Sequence, residues 1–215
     1  MKKILFTCFF IFSFYNLDAQ SQIYIDAFSG SKGQTAEFFF LSPIDDHNKW
    51  TVFSRTEMFL HDYKTEHPAF TNFNTVSYNF AKNLGLTAGT YASSSYPFSV
   101  RLGLQYFIEN EEFLVYANLT SAVTKDPDAQ LLVIGNYLPK LSEKWRLFTS
   151  AEFRTAISYK DGHQFSLQTF KLGAKYNSKI TFGITAALEE HRHHETELNI
   201  GPFINLNLTR PNENK

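Results

Sequence analysis

The alternation of apolar and polar side chains restricts the fold of this chain more than any other feature of its sequence. Residues 145–159 show it best, because three charges, Arg146, Glu152 and Arg154, fall on one parity and none falls on the other. Successive side chains of a β-strand point to opposite faces, so this segment predicts a strand with one polar and one apolar face. A strand with both faces in a dry core could not hold these charges.

Similar segments recur along the chain, separated by Gly, Asn, Asp, Ser and Pro, with no helical periodicity of convincing length and no linker. They predict a single all-β domain of about 12 strands, an even number that is typical of antiparallel up-and-down transmembrane β-barrels. The predicted strands lie near 22–29, 34–42, 50–60, 70–81, 84–92, 96–108, 111–120, 129–138, 144–158, 163–175, 179–189 and 195–208. The slightly negative mean hydropathy agrees, because alternating strands look soluble on average. A soluble β-sandwich or lipocalin-like barrel stays open, since alternation does not say which face meets lipid.

Two segments depart from simple alternation. Residues 163–176 change parity near Thr169–Phe170, which predicts a β-bulge at that point. Residues 129–138 are apolar on both faces and cannot be oriented. The connections alternate between mostly tight turns and longer polar loops, as expected for the two ends of a membrane barrel with both termini in the periplasm. The segments 30–33 and 43–49 are exceptions to that contrast.

Aromatic residues collect where predicted strands begin or end on one side. Aromatic rings gathered at one level are typical of a membrane-interface girdle. The residues predicted to form it are Trp50, Phe80, Tyr106, Tyr137, Trp145 and Tyr176.

The N-terminal residues have the layout of a secretory signal peptide. Lys2 and Lys3 precede an apolar run over 4–15, and a small residue, Ala19, marks the expected cleavage site. A retained anchor is the weaker alternative, because a membrane helix needs about 20 apolar residues. We therefore expect a signal peptide over 1–19, a barrel over 20–208 and a polar tail over 209–215. Cys8, the only cysteine, would be removed, leaving no disulfide, cysteine-ligated zinc or cysteine nucleophile.

Residues Asn199–Leu206 combine a polar residue, Gly201, Ile204 and Leu206 in a closing strand. This spacing resembles the C-terminal signal that the barrel-assembly machinery reads. With the Ala19–Gln20 junction, the chain resembles the small outer-membrane barrels of Bacteroidota-type bacteria. The resemblance implies the outer membrane of a Gram-negative cell, with membrane lipid and the assembly machinery as partners. It implies no catalytic residue and no cofactor. Pro202 lies within the closing strand, where a bulge would accommodate it.

A set of charged residues falls on the parity that would face the interior: Asp26, Glu37, Arg55, Glu57, Arg101, Glu109, Glu112, Arg146, Glu152, Arg154, Glu189 and Glu197. They either line a water-filled pore or pair with one another and plug a narrow lumen, since about 12 strands is an intermediate size. The inward parity of Phe39, Phe53, Phe59 and Phe107 favours partial occlusion. The mixed signs argue against a channel for strongly anionic sugars, and the net charge of −1 gives no sign of a nucleic-acid partner.

Other chemistry has little support in the sequence. His191, His193 and His194 are weak candidates for a metal site, but they fall in a predicted polar loop without ligand spacing. The odd spacing of His163 and Ser166 puts them on opposite faces of a strand unless a bulge intervenes. The leading hypothesis is therefore a porin-like or structural outer-membrane protein that allows small solutes to pass. The alternatives are a non-transporting barrel that binds partners through its loops and, less favoured, an outer-membrane lipase or protease.

Overall fold

The structure is a computed structural model that describes residues 22–45, 47, 49–63, 68–191 and 196–209. The predicted signal peptide, and all of the predicted tail except Thr209, lie outside these residues. The described chain forms one closed antiparallel barrel of 12 strands, which confirms the predicted fold. The strands are β1 (Gln22–Gly30), β2 (Gly33–Pro43), β3 (Trp50–His61), β4 (Ala69–Ala81), β5 (Leu84–Ser93), β6 (Ser99–Glu109), β7 (Phe113–Ala122), β8 (Asp128–Tyr137), β9 (Trp145–Ser158), β10 (Gly162–Tyr176), β11 (Ile180–His191) and β12 (Thr196–Asn207). Within the described residues, no helix is long and apolar enough to cross a membrane.

Each strand pairs with its neighbours in sequence, and β12 closes the barrel against β1 from Tyr24–Asn207 to Phe28–Phe203. Closure gives every strand two partners and removes the exposed edges of an open sheet. The bulge expected at Pro202 is wrong, because Pro202 pairs with Ile184 of β11 in regular register. The β1–β12 ladder ends at Phe203, so Pro202 has no β1 partner that would require its missing N–H.

We call the end where β1 begins and β12 ends the base, and the opposite end the rim. The base connections are 44–49, 82–83, 110–112, 138–144 and 177–179, and the rim connections are 31–32, 62–68, 94–98, 123–127, 159–161 and 192–195. The two sets have similar lengths, so the expected contrast between tight turns and long loops is wrong. Asn83 (φ 65°) and Asn177 (φ 47°) take the left-handed conformation that asparagine tolerates, which explains two of the tightest base turns.

The outer face of the barrel is apolar and exposed and the inner face carries buried polar residues, as a membrane requires. Outward Ile184 and Leu172 are 62% and 59% exposed, whereas inward Thr185, the neighbour of Ile184, is 1% exposed. Arg101 is likewise buried inside the barrel at 1% exposure. A soluble barrel would place its apolar face inside and its charges outside. The observed order therefore excludes the soluble alternative, because only lipid can cover such an exterior.

The register explains both irregular segments. The bulge in β10 lies between His163 and Phe165, not at Thr169–Phe170 as expected. Phe165 and Leu167 point inward near the rim, so the parity change at Thr169–Phe170 reflects apolar residues inside the barrel and not a break in the ladder. In β8, Leu132 and Ile134 are the inward residues, and both are buried, which is why this strand is apolar on both faces.

Candidate functional site

A buried arginine organises the middle of the lumen. Arg55 Nη2 lies 2.9 Å from Glu37 Oε2 and 2.7 Å from Glu57 Oε1, and Arg55 Nη1 lies 2.7 Å from Glu152 Oε1. Glu37 and Glu57 are register partners on β2 and β3, so their like charges face each other across the ladder. The guanidinium offsets this repulsion, because its planar fork can serve several carboxylates at once.

A second arginine crosses the lumen. Arg154 Nη1 and Nη2 lie 2.6 and 2.9 Å from the two carboxylate oxygens of Glu57. Arg154 belongs to β9 and Glu57 to β3, which are six strands apart and therefore on opposite walls of the barrel. Arg154 Nη2 also lies 3.5 Å from Glu152. This pair spans the barrel at mid-height and narrows the lumen there.

Apolar side chains cross the lumen between this network and the base. The buried members come from β2, β3, β7 and β8, and they are Phe39, Leu41, Phe53, Leu114, Tyr116, Leu132 and Ile134. The Phe53 and Tyr116 rings stack at a centroid distance of 4.8 Å, and Tyr24 stacks on Phe39 at 4.5 Å. Close ring stacking of this kind excludes water, so the lumen is dry where these side chains meet.

The inward face of β9 to β12 includes several small residues. They include Ser150, Gly173, Thr181, Gly183, Thr185, Ala187 and Gly201. Two cavities lie in the lumen: one of about 440 Å³ opens towards the rim and is lined by residues of β1 to β5 and of β8 to β12, and one of about 170 Å³ opens towards the base. Both cavities are lined by Asp26, Glu37, Glu152, Thr169 and Lys171. The free space of the lumen therefore narrows to a constriction, formed mostly by charged residues, where the two cavities meet.

An ion pair closes that constriction. Lys171 Nζ lies 2.8 Å from Asp26 Oδ1 and 5.4 Å from the centroid of the Phe203 ring. Asp26 also accepts a hydrogen bond from Asn205 Nδ2 at 3.4 Å. We call the mid-height set Asp26, Glu37, Arg55, Glu57, Glu152, Arg154 and Lys171 the ionic layer.

A separate ion pair lies on the wall away from the cavities. Arg101 of β6 contacts Asp128 of β8 at 2.9 Å and donates to Thr120 Oγ1 at 3.1 Å. The Arg101 guanidinium carbon is also 5.9 Å from the Tyr91 ring centroid. Arg101 lines neither the larger nor the smaller cavity. This pair thus ties β6, β7 and β8 together outside the free space.

The structure places most of the candidate lumen residues on inward strand positions. These are Asp26, Glu37, Arg55, Glu57, Arg101, Glu109, Arg146, Glu152, Arg154, Glu189 and Glu197. Glu112 is different: it lies exposed in the 110–112 turn, so its assignment to the lumen is wrong. The sequence reasoning missed inward Asp128, Lys171 and Lys175. Lys171 and Lys175 alternate with Phe170, Leu172 and Tyr176, and that signal would have located them had the bulge been placed correctly.

All six candidate interface aromatics lie near the base. Trp50 begins β3 and its ring is 5.0 Å from that of Tyr78, whereas Trp145 begins β9 with its ring 4.7 Å from that of Tyr176. The other candidates, Phe80, Tyr106 and Tyr137, are 55%, 39% and 49% exposed. Amphipathic rings at one level of an apolar exterior have the distribution of an interface belt.

The histidine candidates for a metal site do not assemble. His193 and His194 lie outside the described residues, and His191 Nε2 contacts Glu189 at 2.9 Å. Among residues 22–45, 47, 49–63, 68–191 and 196–209, no group of three His, Cys, Asp or Glu residues is placed to hold a metal ion.

The bulge in β10 brings together two residues expected on opposite faces. His163 Nε2 lies 2.8 Å from Ser166 Oγ on the outer surface near the rim. Thr155 Oγ1 donates to the Phe165 carbonyl at 3.1 Å, so its single hydrogen is used, and it accepts from Ser166 Oγ at 3.0 Å. Ser166 must then accept from His163. This direction is opposite to that of a catalytic pair, in which histidine takes the serine proton.

Comparison with known proteins gives a fold but no family. No protein-family model and no curated protein sequence matches the chain. Among solved structures, the NanC porin matches with a TM-score of 0.56 and 8% identity, covering 86% of this chain and 98% of that one. This chain has a porin-like barrel fold. The KdgM porin matches with a TM-score of 0.51 and 10% identity over the same shares. These neighbours are porins, not enzymes, and the apolar exterior places this single-chain barrel in an outer membrane.

Proposed function

We propose that this protein is an outer-membrane channel through which small solutes pass along the barrel lumen. The observation that carries the proposal is the pair of cavities, about 440 and 170 Å³, that open towards opposite ends and share Asp26 and Lys171. A lumen filled by side chains along its whole length would leave no such cavities. Movement of one ion pair, and not of the aromatic cluster, would connect the two cavities.

The charge of the lining limits which solutes fit. The inward strand positions carry eight carboxylates, Asp26, Glu37, Glu57, Glu109, Asp128, Glu152, Glu189 and Glu197, and six cations, Arg55, Arg101, Arg146, Arg154, Lys171 and Lys175. Excess negative charge in a confined space repels anions. The KdgM porin has been solved with oligogalacturonate, an acidic sugar. We do not extend that ligand class to this chain, and we favour neutral and cationic solutes.

Conductance tests the proposal directly. The refolded barrel in a planar bilayer should give discrete steps, and liposomes containing it should swell in neutral solutes of small size but not in large ones. The variant Ala187→Trp provides the comparison, because it places a large ring on the wall of the larger cavity, where a small residue now leaves space. This variant should reduce the step size while the barrel still folds. If neither the folded wild-type protein nor a folded Lys171→Met variant gave swelling or conductance, the channel would be overturned.

A second function is favoured by a different observation. The Arg154–Glu57 pair and the aromatic cluster together close most of the lumen. If the ionic layer never opens, the barrel is a non-transporting protein that contributes contacts to a partner or stability to the membrane. A bilayer that stays silent with the folded wild type and with folded Lys171→Met would support this function over the channel.

Several points stay predictions from the sequence. They are cleavage after Ala19, delivery by the barrel-assembly machinery and an origin in a Bacteroidota-type bacterium. Mass spectrometry of the N-terminus of mature protein would test the first of them.

A further inference from the structure

The ionic layer carries more negative than positive charge. Its carboxylates are Asp26, Glu37, Glu57 and Glu152, and its cations are Arg55, Arg154 and Lys171, so four negative groups face three positive ones. The layer separates two cavities inside a barrel with walls of low dielectric constant. Such a place concentrates small cations and repels anions.

Lys171 differs from the two arginines in how it is held. Arg55 contacts three carboxylates within 2.9 Å, and Arg154 holds Glu57 through two nitrogens. Lys171 has one ion pair, with Asp26 at 2.8 Å. Its ammonium ends a flexible four-carbon stem, whereas a guanidinium forms a rigid fork. Lys171 is therefore the cation of this layer that moves at least cost.

The surroundings of Lys171 leave room for such a movement. Its register partners on β9 and β11 are Ser150 and Thr185, both short side chains. Free space lies on the rim side and on the base side of its ammonium, since Lys171 lines both cavities. The Phe203 ring lies 5.4 Å from Nζ, so the ammonium makes a cation–π contact at the same time as its ion pair with Asp26.

A neighbouring carboxylate oxygen points to a cationic ligand. Glu37 is 6% exposed, and its Oε1 has no hydrogen-bond partner among the residues that the structure describes. Glu37 pairs in register with Asp26 and lines both cavities. A buried carboxylate oxygen is costly without a donor, and an ammonium or guanidinium group supplies one.

We propose that the Lys171 ammonium is a tethered gate, and that small cations bearing an amine or guanidinium group displace it between Asp26 and Glu37 as they pass. The passing cation replaces the gate as the partner of Asp26, so the layer keeps its balance of charge throughout. This inference rests on the proposed function, because it requires a channel.

The test compares Lys171→Met with Arg101→Met in planar bilayers. Both variants remove one inward positive charge, but Arg101 lies outside the two cavities. Lys171→Met should raise conductance about twofold or more and shift the reversal potential in a KCl gradient towards cations, because the mobile cation of the constriction is gone. Arg101→Met should cause a smaller change in both. 1,4-Diaminobutane should reduce the potassium current of wild-type protein more than glucose does, because it competes for Asp26 and Glu37.

The possible outcomes separate the gate from the channel. A conducting wild type whose conductance and selectivity are unchanged in Lys171→Met would overturn the gate and leave the channel in place. Silence of the wild type and of Lys171→Met, both shown to be folded, would overturn the channel and the gate with it. A silent wild type with a conducting Lys171→Met would support a gate that is closed at rest. Lys171→Arg keeps the charge at this position but replaces the flexible ammonium by a rigid fork, so its conductance should equal or fall below that of wild type, and a large rise would count against the gate.

Discussion

Arg154 forms an ion pair with Glu57 on the opposite wall of the barrel through both terminal nitrogens, with nitrogen–oxygen distances of 2.6 and 2.9 Å. Their strands, β9 and β3, are not neighbours in the sheet, so no ladder hydrogen bond fixes this contact. Thr71 Oγ1 adds a hydrogen bond to Glu57 at 2.9 Å. The pair therefore joins opposite walls across the lumen, and it stabilises the barrel as a whole rather than one hairpin.

The Arg154–Glu57 pair predicts that a single substitution will destabilise the barrel more than a substitution of both residues. Arg154→Met leaves Glu57 buried with one fewer partner and should lower the free energy of unfolding by about 3 kcal/mol. The double variant Arg154→Met/Glu57→Met replaces the pair by apolar groups and should recover much of that loss. Urea unfolding of the barrel in lipid vesicles measures both. A double variant that is less stable than Arg154→Met would contradict the argument.

The apolar exterior predicts that a charge substitution will block assembly at an outward position and be tolerated at an inward one. Ile184→Arg puts a charge on the lipid-facing side near the middle of β11 and should cost about 2–4 kcal/mol, which blocks membrane assembly. Ala187→Lys, on the same strand, points into the larger cavity and should assemble normally. Membrane assembly is measured as the protease resistance of each variant in membranes, before and after heating. Equal tolerance at both positions would show that the exterior does not meet lipid.

The 44–49 turn predicts a pH dependence at the base. Asp45 Oδ1 accepts a hydrogen bond from the Trp50 N–H at 2.6 Å, and this bond holds the pKa of Asp45 below its usual value. A depressed pKa means that the carboxylate stabilises the turn above pH of about 4 and that this stabilisation is lost as pH falls through the lowered pKa. In a Trp145→Phe background, the fluorescence of Trp50 should change with that acid transition. Asp45→Ala should abolish the transition, and an identical titration in both proteins would refute the assignment.

The His163–Ser166 pair predicts an absence of nucleophilic reactivity. Because Ser166 donates to Thr155, a fluorophosphonate probe should label neither the wild type nor Ser166→Ala. Thr155→Val removes the acceptor and frees the Ser166 hydroxyl to donate to His163, so weak labelling of that variant is the expected contrast. Labelling of the wild type that is lost in Ser166→Ala would restore the lipase hypothesis.

The barrel could be predicted because its two environments impose one pattern on every strand. Lipid outside and ions inside force alternation, as the charges of Arg146, Glu152 and Arg154 on β9 illustrate. The pattern failed where apolar residues face both ways, as Leu132 and Ile134 do in β8. There the lumen is dry, so parity carries no information about which side meets lipid.

The ionic layer could be predicted only as a list of charges. Glu57 and Arg154 are 97 residues apart, and so are Arg55 and Glu152. Which carboxylate meets which arginine depends on the stagger of strands around a closed barrel, which alternation does not encode. Lys171 was missed for a local reason. The bulge was predicted at Thr169–Phe170 but lies at Gln164, and this position decides which side of the sheet Lys171 is on.

The short connections at both ends limit how this protein can be recognised from outside the cell. The longest segments that leave the barrel are 62–68 at the rim and 138–144 at the base, so the result is the same whichever end faces outwards. An antibody or a phage tail fibre would have at most seven consecutive residues outside the strands to bind in any one of these connections. Pressure from immune or viral recognition, which drives variation in long surface loops, would have few residues here on which to act.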